Sequence, residues 1–581
     1  MGKKSKAKKE RRKKEQQEEE AKKAIKEKKK KGKKKGKKKE SRIKISKKQI
    51  LGGILAVVMI AILVSVGYLL FQKAFKPRPI AQLLPAEDTI AIIEINSNFD
   101  HNQLSKTFTL LEGHEEYSKE NLIKLVEEKF LVDYDVEIKP WLGRVIGVAV
   151  IKSPEREQVD LVYFAEVFSE TNAKKYIENS AVPASGVEAD GRHKALLGEY
   201  IIISDNEEVI KELQNPSGAR LYDSDSYRRI DDNMPLNKAA YFFVNFNKID
   251  GDFFQAFPFL SEKGLSVETV QPFMSLLDSE GLALVALDDK FAIQTFISLN
   301  RAVLQDSEYI DFKEKYSASL SQYVDANAIA FWGGENLEYQ VKRMLEALAG
   351  GDNAVIDIFD KIIQGYSQKY FGPEINFNTD LLPLFANEFA LAMEKDGEEQ
   401  IYKLIVELND PSSEAVKIHE IADNFAEIGA VFEPKVVEHV MEDGTVSKEI
   451  IAVAEAIIKE EVIYKGTTIY ELRMGGQDWV VAYSIIDDVA IIATNSQGIK
   501  TAIDAKNGEI SSLKTSAIYS KLIAPVLKYS DEVSYFNMEE LLQIMFNEET
   551  LPPILELVSS LSSGKSYFDD GITSINYLRI K

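Results

Sequence analysis

The chain has 581 residues, with 92 acidic and 72 basic side chains, a formal net charge of −20 and no cysteine. Without cysteine, thiol catalysis, thiolate metal sites, disulfides and a lipoprotein anchor are excluded. The summed charge hides two opposite regions: residues 1–48 hold 26 Lys+Arg against 7 Asp+Glu, and the rest of the chain holds 46 against 85.

Residues 1–48 are low-complexity Lys/Glu sequence. Lysine blocks such as Lys28 to Lys31 repel one another and bury nothing, so disorder is expected. Such a tail can contact anionic lipid headgroups. Specific nucleic-acid binding is not expected, because no aromatic ring lies among the lysines to stack on bases. The start Met-Gly-Lys-Lys-Ser-Lys departs from the myristoylation pattern at Lys6.

Ile50 to Phe71 is one uncharged apolar run of 22 residues. At about 1.5 Å per residue a helix of that length reaches about 33 Å, enough for the hydrocarbon core of a bilayer. A cleaved signal peptide would have a shorter apolar stretch and a small-residue cleavage site, where this run ends in Tyr68-Leu69-Leu70-Phe71. The reading is a retained single transmembrane helix with membrane lipid as its partner. The basic side belongs in the cytoplasm and the acidic remainder outside the cell membrane.

A linker over residues 72–83 leads into two α+β modules in tandem, 84–300 and 318–581. Their strand-like blocks correspond in order. Ile90-Ala91-Ile92 matches Ile329-Ala330-Phe331. Pro140-Trp141-Leu142-Gly143 with Ile146–Ala149 matches Pro383-Leu384-Phe385-Ala386 with Phe389–Ala392. Ile202–Asn206 matches Ile491–Asn495, Phe243-Val244-Asn245 matches Tyr535-Phe536-Asn537, and the strand after Asp288-Asp289 matches that after Asp569-Asp570. The offset grows between the second and third blocks, so the second module carries an insertion near 430–475.

Within the first module, alternation predicts strands at 89–95, 145–151, 160–167, 200–204, 239–246, 282–286 and 291–298. Helical spacing predicts helices at 104–112, 120–130, 172–179, 207–214 and 270–277, with Asn206 capping the fourth. Short polar turns, including Ser153–Arg156 and Asp288-Asp289-Lys290, imply antiparallel pairing. The fold class is therefore α+β: two duplicated modules of mostly antiparallel sheet with helices on one face.

Leu84-Pro85-Ala86-Glu87-Asp88-Thr89 before a strand, followed by the Pro-Trp-Leu-Gly block, resembles the bacterial domain-of-unknown-function family numbered three-three-five-two. The resemblance spans most of residues 80–581. The second module departs from it, with Val324-Asp325-Ala326-Asn327 at its start and no Trp-Leu-Gly. The resemblance implies a single-pass envelope protein with no assigned activity.

No motif nominates catalytic, cofactor-binding or metal residues. The five histidines, His101, His114, His193, His419 and His439, lack ligand spacing and read as surface residues. Asp223-Ser224-Asp225 and Asp231-Asp232 lack the rest of a calcium loop, and a helix start at Asp225-Ser226 explains them better. Gly350-Gly351-Asp352-Asn353 reads as a turn and Gly564-Lys565-Ser566 as a loop before the last hairpin. Trp141 offers a large apolar surface for packing, with Gly143 beside it for an unusual backbone angle. The expectation is a non-enzymatic, membrane-anchored extracytoplasmic protein, bacterial, with a binding or structural role and an envelope partner. The alternative is an envelope hydrolase acting on a wall or surface polymer. It requires two facing carboxylates across a groove between modules, one with a perturbed pKa.

Overall fold

The computed structural model describes residues 79–98, 102–130, 132–153, 158–180, 192–215, 218–250, 277–300, 316–342, 353–428, 431–441, 445–455, 457–474, 480–528, 530–545, 556–568 and 571–581. The basic tail and the apolar run Ile50–Phe71 lie outside these residues. Among the described residues no helix is long and apolar enough to cross a membrane. Residues 78–581 form one compact unit.

The first half begins with β1 (Thr89–Asn96), α1 (Asn102–Leu110) and α2 (Lys119–Phe130). It continues with β2 (Leu142–Ser153), β3 (Gln158–Val167), α3 (Glu170–Ser180), β4 (His193–Leu197) and β5 (Tyr200–Ser204). It closes with α4 (Glu207–Gln214), α5 (Asp225–Asp232), β6 (Ala240–Asn245), β7 (Leu277–Ala286) and β8 (Phe291–Leu299). The second half has β9 (Ala330–Glu335), α6 (Asn353–Phe371), β10 (Glu388–Asp396), β11 (Glu399–Glu407) and α7 (Pro411–Ile428). Then come β12 (Val431–Val440), β13 (Val446–Glu455), β14 (Ile457–Tyr464), β15 (Thr467–Met474), β16 (Val480–Ile486), β17 (Val489–Ala493), α8 (Ser496–Lys506) and α9 (Ala524–Leu527). Last are β18 (Glu532–Asn537), α10 (Met538–Met545), β19 (Val558–Phe568) and β20 (Gly571–Ile580).

Eighteen strands form one antiparallel sheet; β12 and β13 pair only with each other. Following the pairs, the first half runs β4-β5-β3-β2-β1-β6-β7-β8. The second runs β16-β17-β11-β10-β9-β18-β19-β20. Counted within each half, the order is the same. Register agrees too: Ala149 faces Val162 as Ala392 faces Lys403, and Val162 faces Ser204 as Lys403 faces Ala493. Strands β14 and β15 extend the second half beyond β16, and β12 to β15 have no counterpart among the described residues of the first. The halves meet where β8 pairs with β20.

Each half has its own core. In the first, Ile92, Ile202 and Phe243 pack with Val209, Ile210 and Leu213 of α4 and Tyr227 and Ile230 of α5. In the second, Phe331, Ile491 and Tyr535 pack with Ile499, Ala502 and Ile503 of α8. The expectation of helices on one face is corrected here. Ile201, next to Ile202, packs on the opposite face with Trp141 and Ala173 of α3. Ala490, next to Ile491, packs there with Ile418 and Ala422 of α7. Successive strand residues point to opposite faces, so helices cover parts of both. The strands β5 and β17 are apolar on both sides, and it is this double burial that calls for two helix layers.

Local signals explain most boundaries. The side chain of Asn206 accepts from Glu208 N at 3.0 Å and starts α4. Asn495 accepts from Gly498 N at 3.0 Å at the matching start of α8. The β7–β8 turn closes with Leu287 N donating to Lys290 O at 2.9 Å. Gly564 is not in a loop. It lies within β19, between Val533 and Ile575, where a Cβ would come within 2.1 Å of Ser530 Oγ. The turn at 154–156, residues 270–276 of the helix expected over 270–277, and residues 350–352 lie outside the described residues; Leu277 opens β7, correcting the end of that helix, and Asn353 opens α6.

Candidate functional site

The Pro-Trp-Leu-Gly block is a packing device. Trp141 is 4 % exposed, its Nε1 donates to Glu137 O at 2.6 Å, and its ring lies 5.1 Å from that of Tyr176 on α3. Gly143 has no positive φ, which corrects the reason expected for it. A Cβ there would meet Glu166 Cγ at 2.7 Å, so the glycine makes room for that carboxylate. Glu166 in turn accepts from Arg144 N at 2.7 Å. Trp141→Ala should therefore lower the urea midpoint of the first half by the equivalent of about 3–5 kcal/mol.

A set of buried ionisable groups in the first half surrounds Glu94. The residue sits in the middle of β1, opposite Gly147 of β2 and Tyr241 of β6. Two positions from Ile92, it points to the same face and so into the main core. Opposite it, the missing side chain of Gly147 leaves the space to Phe164, whose Cζ would lie 2.5 Å from a Cβ. Tyr200 and Tyr227 from β5 and α5 complete the wall with Tyr241. Phe164 meets Tyr200 edge-on at 6.0 Å and Phe243 meets Tyr227 edge-on at 5.2 Å. Lys238 Nζ stands 3.9 Å from the Tyr241 ring centroid and 3.8 Å from Asp231 Oδ1.

Glu94 keeps part of its surface accessible, yet protein encloses the carboxyl. That burial raises its pKa to about 7; Lys238 opposes the rise, and Asp231 and Glu166 add to it. Tyr200, Tyr227 and Tyr241 are all held above the ordinary phenol range, mainly by burial and then by the neighbouring acids and phenols. The Tyr241 hydroxyl is buried without a hydrogen bond of good geometry. A carboxyl that changes charge near neutral pH can accept or deliver a proton there.

The second half does not repeat this arrangement. Gly333 holds the place of Glu94, facing Ala390 and Val533. A Cβ on it would lie 2.2 Å from Tyr316 Oη, so a phenol enters the space on that side. Of the acids near that phenol, Glu388, Glu335 and Glu532, Glu388 accepts from Leu320 N at 2.9 Å and Ser319 Oγ at 2.6 Å and serves as a clamp.

Of the histidines, His101 lies outside the described residues, His114 and His193 are half-buried and His439 is exposed on β12. His419 departs from a surface role. Its Nδ1 lies 2.9 Å from Tyr483 Oη, and its ring meets Tyr470 edge-on at 4.9 Å. Tyr470 and Tyr483 stack at 4.9 Å. Lys459 pairs with Asp423 and lies 5.1 Å from the Tyr470 ring centroid. Burial and then Lys459 hold the imidazole below its usual pKa. These groups satisfy one another where α7 meets β14 to β16.

Asp225 begins α5, capped by Ser224, whose Oγ accepts from Tyr227 N at 3.3 Å, and no calcium loop forms around it. Among the described residues no group of three or more His, Asp or Glu could hold a metal ion. The acids that act on Glu94, namely Asp231 and Glu166, lie with it in the first half. Sequence reading passed over Glu94 because it treated Ile90 to Ile95 as one apolar strand. The signal was a lone acid at an inward position of that run.

No family model matches the chain, and no curated protein matches it. Solved structures that align with it include two crystal forms of TP0453. Crystal form I of TP0453 has 10% identity and a TM-score of 0.22, over 40% of this chain and 82% of that one. Crystal form III of TP0453 has 9% identity and a TM-score of 0.21, over 47% of this chain and 88% of that one.

Proposed function

We propose that the chain is a non-enzymatic, single-pass membrane protein that holds two duplicated α+β modules outside the cell membrane as a binding or structural surface of the envelope. One observation carries this reading: β8 pairs with β20, so that two halves of like strand order make a single sheet. Directly paired residues share a face. Following the pairs across the sheet puts Ile93, Ile95, Leu161, Leu391 and Tyr402 on the same face, and these side chains are 37–50% exposed. Partly exposed apolar side chains on one broad face suit an interaction surface. The apolar run Ile50–Phe71 supplies the tether, and the lysine-rich tail contacts anionic headgroups on the cytoplasmic side. The resemblance to the three-three-five-two family agrees with this location.

Protease added to intact protoplasts tests the topology. It should remove the region after residue 80 and spare the first 40 residues; the reverse pattern overturns the reading. A second reading, an envelope hydrolase, is favoured by one feature, the Glu94 carboxyl raised to about 7 beside Asp231 and Glu166. It requires turnover of a wall polymer by the purified protein that Glu94→Gln abolishes. No turnover by the parent protein removes it.

A further inference from the structure

The joint between the halves pairs two corresponding strands with each other, and antiparallel pairing of counterparts makes the contact two-fold symmetric. Position 294 of β8 corresponds to position 575 of β20, because the hairpins that contain them share one register: Val285 faces Ala292 as Ser566 faces Thr573. At the joint, Gln294 faces Ile575, its own counterpart. On either side the partners exchange. Ile293 faces Asn576, the counterpart of Thr295, and Thr295 faces Ser574, the counterpart of Ile293. The same exchange holds outward to Phe291 with Leu578 and Ile297 with Ile572. This is the isologous pattern of a two-fold dimer interface, in which one patch meets itself.

Two further observations agree. The main cores are separate, one drawn wholly from the first half and one wholly from the second, as they would be in two subunits. Close contact at the joint rests on backbone approach: a Cβ on Gly571 would lie 2.5 Å from Ile297 O and 2.6 Å from Phe296 Cζ.

We infer that the β8–β20 joint is a two-fold dimer interface carried inside one chain, and that β8, once β20 is withdrawn, takes β8 of a second copy in the same register. The partner is thus another molecule of this protein. Self-pairing centred on Gln294 sets Ile293 against Thr295, Ala292 against Phe296 and Phe291 against Ile297. These pairs contain no like charges, and all but alanine are good strand formers.

The chain has no cysteine, so Gln294→Cys provides one labelling site. The test uses the full chain in mild detergent, truncated after Phe568 to remove β20 or carrying Ile575→Pro to break its pairing. A short bis-maleimide should join two copies through residue 294 in both, and not in the parent with β20 intact. Emission of buried Trp141, read with Trp332 and Trp479 both replaced by Phe, reports whether the first half is folded. A folded first half that stays monomeric by light scattering, with residue 294 unjoined, overturns the inference. So does equal cross-linking from Glu208→Cys, on an exposed turn of α4, which would mean unspecific association. If truncation and proline both unfold the first half, β8 depends on β20 for folding and the two-subunit reading fails.

Discussion

Lys403→Met should destabilise the second half by about 3–5 kcal/mol, whereas the pair Glu394→Ile with Lys403→Val should leave it within about 2 kcal/mol of the parent. Lys403 and Glu394 are buried on neighbouring strands, with Nζ 2.7 Å from Oε2 and side chains 0 % and 5 % exposed. Their approach is an ion pair without good hydrogen-bond alignment, and burial holds the lysine below its usual pKa despite the partner. Removing one charge strands the other in the core. Removing both installs what the first half already contains, because the corresponding positions are Ile151 and Val162, both buried and apolar. One cost remains in the double variant: Asp325 N, which donates to Glu394 Oε1 at 2.8 Å, loses its acceptor, worth about 1 kcal/mol. Urea midpoints of the parent, single and double variants decide the matter. A double variant as weak as the single would mean that the ion pair itself stabilises the fold.

Glu94→Gln should flatten the pH dependence of stability and strengthen the first half above neutrality by about 1–3 kcal/mol. The folded carboxyl has a pKa of about 7 against an ordinary value of 4.5. Between those values the folded state holds a proton that the unfolded state has released. Stability from this group is therefore complete below about pH 4.5, declines as pH rises, and is lost above about pH 7. Urea midpoints at pH 5 and pH 8 should differ in the parent more than in the glutamine variant. Equal slopes in the two proteins would show that Glu94 titrates as an exposed glutamate.

Much of this fold was legible in the residue pattern. Period-two alternation located β1, β3, β5 and β8, and the short polar turn at Asp288 to Lys290 implied the antiparallel pairing of β7 with β8. Asn206 marked the start of α4 because its side chain can satisfy a free amide there. The misses have physical causes. Strand β4 is only five residues long and each is half-buried, so it has no clear alternation. Gly564 looks like loop sequence beside Lys565 and Ser566, but its role depends on Ser530, distant in sequence. Two-sided helix coverage depends on which neighbour each apolar residue of β5 and β17 meets, and a continuous apolar run does not reveal that. His419 and Glu94 gain their character from burial by other strands and helices, which no local spacing records.

The outermost strands among the described residues, β4 and β14, each pair on one side only. Two separate modules would have four such open borders, and joining β8 to β20 seals two of them. Of the two left, β14 carries Lys459, Glu460 and Glu461 in succession. Charged groups on a border strand deter another chain from adding to it. Where copies are crowded side by side, fusion of the modules thus halves the number of main-sheet borders where uncontrolled fibre growth could begin.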